Sequence, residues 1–298
     1  MDARISGPGP GTTPKAMPPQ RGLWVDALQR LSRHKLALLG VAVIGVMAII
    51  AVSAPAIAPY SPTFQDYAVI QQGPSLDHPF GADALGRDQL SRAMYGLRTS
   101  LAVGVGAMAV ALGIGLAVGV AAGMGGRIGD NLSMRFTDVV YAFPDLLFII
   151  LLAAVIGNGV SSIFLAIGLV GWTDMARVIR GQMLSLKERD FVLAARALGA
   201  SNWRLAYHHM LPNTLSPIIV LIAFSVPRAI FAEAALSFIG IGIKPPTPSL
   251  GNMVQDGYNA VLSTPSLVIF PALLIGLLML AFTLLGDGLR EALDPRSK

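Results

Sequence analysis

Four histidines, one isolated cation and one isolated carboxylate are the residues of this chain with chemical reach. His34, His78, His208 and His209 have no spacing that would bring them together with acids around a metal ion. His208 and His209 are adjacent, so on a helix they point to different faces and cannot share a ligand. Cysteine is absent, which excludes disulfides, thiolate nucleophiles and Cys-bearing zinc sites. No G-x-x-x-x-G-K-[ST] stretch occurs, so there is no phosphate-cradling loop and no lysine for a nucleotide. Serines are common, but no base is placed beside one by sequence, and no enzyme site is legible. Two charges are left, Arg228 and Glu233, both inside an otherwise apolar run.

The elements that must position those charges follow from composition. The chain has 298 residues, of which 54% are hydrophobic and only 13% charged, with a mean hydropathy of +0.64. Those values exclude an ordinary soluble domain and predict a single all-α membrane domain. The net charge of +5 comes without a basic stripe interleaved with aromatics, so nucleic acid is not an expected partner.

Residues 1–22 are rich in Gly, Pro, Ser and Thr and predict a disordered tail. Leu23, Trp24, Ala27, Leu28 and Leu31 recur at helical spacing beside Arg30, Arg33 and Lys35. Two readings fit: a short amphipathic helix in the lipid interface, or the plain cytoplasmic start of the first span. Leu36 to Ala54 is uncharged and long enough to cross a bilayer. The polar region before it is too long for a signal peptide, so the span is expected to be retained. Further spans are expected over Thr99–Gly126, from about Asp138 to the "GNG" break at Gly157–Gly159, on to Thr173, from Thr214 to Gly240, and from Pro265 to Leu285. The expected division is therefore 23–98 (interfacial helix, first span, outer loop) and 99–298 (core), with six spans in all.

Six spans put both termini on one side. With that side inside, seventeen Lys and Arg lie in cytoplasmic segments and four outside, which predicts cytoplasmic termini. Arg228 and Glu233 are five residues apart and do not stack on one helix face. A translocation path meeting zwitterionic substrate termini is one reading. A structural ion pair with other helices is the other, or for Glu233 a place near the outer headgroups. Gly115, Gly119 and Gly123 recur every fourth residue and predict a close helix–helix interface.

Orientation makes the polar segment "DFVLAARALGASNWRLAYHHMLPN" (Asp190–Asn213) cytoplasmic. Phe191, Ala195 and Leu198 share one helical face, and Trp203, Tyr207 and Met210 share another. Gly199 permits a turn between them, Ser201 can cap the second helix, and Pro212 is expected to stop it. Two amphipathic helices need a partner for their apolar faces, either the membrane interface or a docking protein.

On these residues the segment resembles the cytoplasmic loop of ABC importer permeases, whose generic form is E-A-A, three residues, Gly, then a later Leu-Pro. Ala194, Ala195, Gly199, Leu211 and Pro212 match, while Leu193 stands where the family has Glu. "HPFGADALGRDQLSRAMYGLRTSL" (His78–Leu101), "EAALSFIGIGIKPPTPSLG" (Glu233–Gly251) and "LLGDGLREALDPR" (Leu284–Arg296) are similar to the C-type permease of the dipeptide/oligopeptide/nickel subfamily. Leu250 replaces its usual Trp. The likeness covers about Leu36 to Arg296. It implies the transmembrane domain of a type I ABC importer, with Ala194, Ala195, Arg196, Gly199, Ala200, Trp203, Leu211 and Pro212 in the ATPase-coupling loop. It further implies a homologous permease, two ATPase subunits that hold ATP and Mg, an extracytoplasmic substrate-binding protein and an inner-membrane location. The long outer loop Pro59–Arg98 is expected to meet that binding protein, and the Pro-stiffened Ile243–Met253 to do the same or to gate the path. Dipeptides, oligopeptides, glutathione and nickel chelates are the cargoes implied. An ion-coupled secondary transporter and a non-transporting scaffold are the rival classes.

Overall fold

A computed structural model describes residues 23–157 and 159–294. The expected tail over 1–22 lies outside the described residues, as do Arg296 and Lys298. A short helix α1 (Leu23–Leu31) precedes α2 (Lys35–Ile57), the first span-length helix. The chain then makes an outer loop and enters α3 (Gln89–Met124). α4 (Arg127–Tyr141), α5 (Asp145–Ile156) and α6 (Val160–Lys187) follow. After the polar segment with α7 (Asp190–Ala197) and α8 (Asn202–Arg204) come α9 (Leu211–Phe238), the short α10 (Leu250–Tyr258) and α11 (Ser266–Leu293).

Two expectations about the spans need correction. α3 begins at Gln89, well before the uncharged run at Thr99, because Asp88 caps it: its carboxylate accepts the Ser91 N–H at 2.7 Å. The third expected span, from Asp138, is not one straight helix. α4 and α5 meet at a bend of 88°. Pro144 causes it, since a proline disfavours helical backbone at the residue before it, here Phe143. α5 has 12 residues and so rises about 18 Å, short of the roughly 30 Å hydrocarbon core. The described residues hold five helices long and apolar enough to span, or six when the bent pair counts as one.

The bundle is built on α3 against α6, its most extensive contact. The glycine stripe lies in that seam. A Cβ on Gly119 would sit 2.7 Å from the Ala176 carbonyl and 2.8 Å from Ile179 Cβ. Gly115 and Gly123 meet Met175 and Met183 in the same way. With no side chain between them the two backbones approach closely and gain dispersion contacts that lipid does not supply. α4 is tied to α6 by charge: Arg180 grips Asp130 with two nitrogens, one at 2.7 Å, and Arg177 donates to Asp138 at 2.7 Å. α11 packs on α2 and α9 and closes the other side.

Candidate functional site

The polar segment Asp190–Asn213 folds as α7 (Asp190–Ala197), a turn, and the one-turn helix α8 (Asn202–Arg204), and then enters α9. Gly199 has φ +85°, the left-handed region. Around it the Gly199 N–H bonds the Arg196 carbonyl and the Ala200 N–H bonds the Ala195 carbonyl, each at 3.0 Å. That paired pattern satisfies the last carbonyls of α7 and is the usual reason for Gly at this position. Ser201 then caps α8, its hydroxyl accepting the Arg204 N–H at 3.4 Å.

Pro212 does not stop the second helix, contrary to expectation. α8 runs into a π-helical turn (Leu205–Met210) in which the Leu211 N–H reaches back to the Ala206 carbonyl. The wider turn precedes the proline, which then occupies the first turn of α9, where a missing N–H costs little. The result is a continuous helical run of 37 residues from Asn202 to Phe238.

The segment has two faces. Val192, Leu205, Ala206 and Met210 are buried against Trp172, Met175, Ile179 and Met183. Phe191, Leu193, Leu198 and Trp203 are exposed, Leu198 by 89% and Trp203 by 69%. Trp203 packs on Tyr207 at a tilt of 39°, with ring centroids 3.9 Å apart. Phe191 and Leu198 point away from the protein, as a face in need of a partner would, but Met210 parts from Trp203 and turns into the core with Val192 and Leu205.

Arg228 and Glu233 go to separate places. Arg228 donates to Asp174 at 3.0 Å, a residue that follows directly on the apolar run ending at Thr173 and that the sequence did not single out. The pair is open, with side chains 76% and 40% exposed. It lines a cavity of about 180 Å³ that also takes in Asp145 and Ser225. Glu233 is fully buried and lies outside that cavity's lining. Ser237 donates to one of its oxygens at 2.7 Å and Ser100 to the other at 3.0 Å. Those hydroxyls in turn accept the Ile243 N–H at 3.2 Å and the Leu250 N–H at 3.3 Å. Glu233 is thus the centre of a polar knot that fastens the Pro-rich segment and α10 to α3 and α9. α10 itself starts with a reciprocal cap between Ser249 and Asn252.

The outer loop is held by a cluster that sequence reading missed. Arg87 and Arg92 both reach Asp83, at 2.7 and 3.1 Å, and Asp256 of α10, at 3.2 and 2.9 Å. Beside it His78 bonds Asp88 at 2.9 Å and stacks on Tyr60. Asp83, Arg87, Arg92, Asp88 and His78 are all buried. The loop is therefore folded onto the bundle and does not extend from it.

A bundle of span-length apolar helices with an anchored helix–turn–helix among the described residues is the architecture of a multi-pass membrane protein of the ABC importer transmembrane type. Residues 113–298 match the binding-protein-dependent transport system inner membrane component, and residues 22–74 match the N-terminal TM domain of oligopeptide transport permease C. The chain belongs to this inner-membrane permease family. It is 40% identical over 274 residues to the oligopeptide transport system permease protein OppC of Bacillus subtilis (strain 168), covering 92% of this chain and 90% of that one. It is 44% identical over 273 residues to the dipeptide transport system permease protein DppC of the same organism, covering 91% and 85%. The glutathione transport system permease protein GsiD of Escherichia coli O1:K1 / APEC is 40% identical over 276 residues, covering 92% and 91%. Among solved structures, the inward-facing MetNI methionine ABC transporter shares the fold with a TM-score of 0.54 and 17% identity, over 67% of this chain and 94% of that chain.

Proposed function

We propose that this chain is the C-type transmembrane subunit of an ATP-driven importer of dipeptides or oligopeptides. It works beside a homologous permease, two ATPase subunits that bind and hydrolyse ATP with Mg, and an extracytoplasmic substrate-binding protein. Its relatives are named for oligopeptide, dipeptide and glutathione transport, and the family's name includes a binding protein. Both termini lie in the cytoplasm, as the Lys and Arg bias favours. In this reading 23–98 supplies an interfacial α1, the first span and the outer loop, and 99–298 is the translocating core. α1 suits a lipid interface through its exposed Val25 and Leu28 beside Arg30 and Arg33.

One observation carries the coupling assignment. The segment around Gly199 is anchored in the core by its inner face and offers Phe191, Leu193, Leu198 and Trp203 outward. An exposed apolar cluster on a rigid mount marks a docking surface. Docking here rests on packing, since Leu193 replaces the family's Glu. An ATPase that closes on ATP would push this mount, and ATP would favour one packing of the bundle over the other.

The test is ATP-dependent peptide uptake in liposomes holding all partners. Trp203→Ala should leave membrane insertion intact and cut uptake by about tenfold, the loss of one well-packed anchor at an interface. Gly199→Pro should do at least as much, because proline fixes φ near −65° where the chain has +85°. Wild-type uptake in both variants would sink the coupling assignment.

A further inference from the structure

The cavity around Arg228 is the part of the molecule whose chemistry is least explained by folding. It opens between α3, α5, α6 and α9, with Ala107, Met108 and Ile149 as apolar wall and Asp145, Asp174 and Arg228 as charges. Arg228 and Asp174 stand inside span-length helices, yet Arg228 is largely and Asp174 partly exposed. Charges left open in such helices face water or protein rather than lipid. An ion pair this exposed contributes little to stability, so holding the fold together is a poor account of it. Asp145, at the start of α5, has no ion-pair partner among the described residues. The cavity therefore carries two carboxylates against one guanidinium.

We propose that this cavity is a transit subsite for the charged termini of a peptide, with Asp174 and Asp145 receiving the α-ammonium and Arg228 the α-carboxylate. The proposal rests on the peptide-permease reading above and names residues for it. A passing zwitterion exchanges for the Arg228–Asp174 bond: each charge releases its partner and takes the matching terminus, so no charge is left bare in the membrane. The apolar wall accepts differing side chains without reading them. Exchange of one exposed pair for another is close to balanced, which suits a station a substrate must also leave.

The experiment uses the complete reconstituted transporter and an unlabelled-terminus panel of di- to pentapeptides, scored with the member the wild-type complex takes up fastest. Uptake and binding-protein-stimulated ATP hydrolysis are measured together. Asp174→Asn and Arg228→Gln should each cut uptake by about tenfold, the loss of one charge-assisted hydrogen bond. Stimulated hydrolysis should stay within about twofold, which also shows that the variants fold and assemble. The double variant Asp174→Asn/Arg228→Gln should be at least as slow as the slower single. Recovery of uptake in the double variant would overturn the proposal, because a merely structural pair is tolerated when both partners are removed. Wild-type uptake in the single variants would overturn it too. Absence of ATP-driven uptake in the wild-type complex would instead remove the permease reading, and this site with it.

Discussion

Glu233 shows how a single buried carboxylate can be structural in a protein whose work is transport. Its two oxygens accept from Ser237 and Ser100, and those hydroxyls hold the Ile243 and Leu250 amides. Glu233→Gln keeps one carbonyl oxygen as acceptor and should cost about 1 kcal/mol. Glu233→Leu strips the acceptors from two buried hydroxyls and should cost about 2–4 kcal/mol. Thermal unfolding of the detergent-purified protein compares them, and equal melting temperatures would refute the knot. From sequence, Glu233 and Arg228 looked alike: one charge each in an apolar helix. Their difference depends on Ser100 and Asp174, which lie on other helices at long range. Asp174 was hidden for a further reason, since the uncharged run ends at Thr173 and the eye stops there.

At the scale of elements, the α3–α6 seam was legible because small residues at a spacing of four have one main use in a membrane. Gly119→Leu should force the helices apart, costing about 1–3 kcal/mol by overpacking. Gly113→Ala meets nothing within 4 Å and serves as the neutral control. Melting temperature or detergent-resistant yield reads both. The helix–turn–helix around Gly199 was legible too, through that glycine and the apolar faces on either side of it. Its junction with α9 was not. A Leu-Pro sequence ordinarily signals a stop, and the π-helical turn that lets the helix continue depends on tertiary packing of Leu205, Ala206 and Met210. The α4–α5 bend was within reach, because Phe143-Pro144 is a local breaker that hydropathy alone overlooks.

For the whole molecule, the outer cluster joins parts of the chain that sequence keeps far apart. Asp256 serves both Arg87 and Arg92, and Arg92 is almost wholly buried. Asp256→Asn leaves that guanidinium with Asp83 as its one carboxylate partner among the described residues and should cost about 1–3 kcal/mol. The expected sign is faster proteolysis within 59–88 in membranes with the outer face exposed. Wild-type resistance would show that Asp83 alone holds the loop. The helical class was open to sequence reading because lipid leaves few options, and five of the six expected spans are span-length helices, the sixth being the bent α4–α5 pair. The clamp was not, because nothing local pairs Asp256 with the start of α3.

In the proposed coupling, the helical run from Asn202 to Phe238 would act as a lever. Trp203 and Arg228 are separated along it by about 37 Å at 1.5 Å per residue. Pivoted near its cytoplasmic end, a tilt of only about 5° would carry the far point by about 3 Å. That travel equals the whole length of the Arg228–Asp174 bond, 3.0 Å between α9 and α6. If a docked ATPase tilts this helix as proposed above, a stroke of that size is enough to make or break the bond.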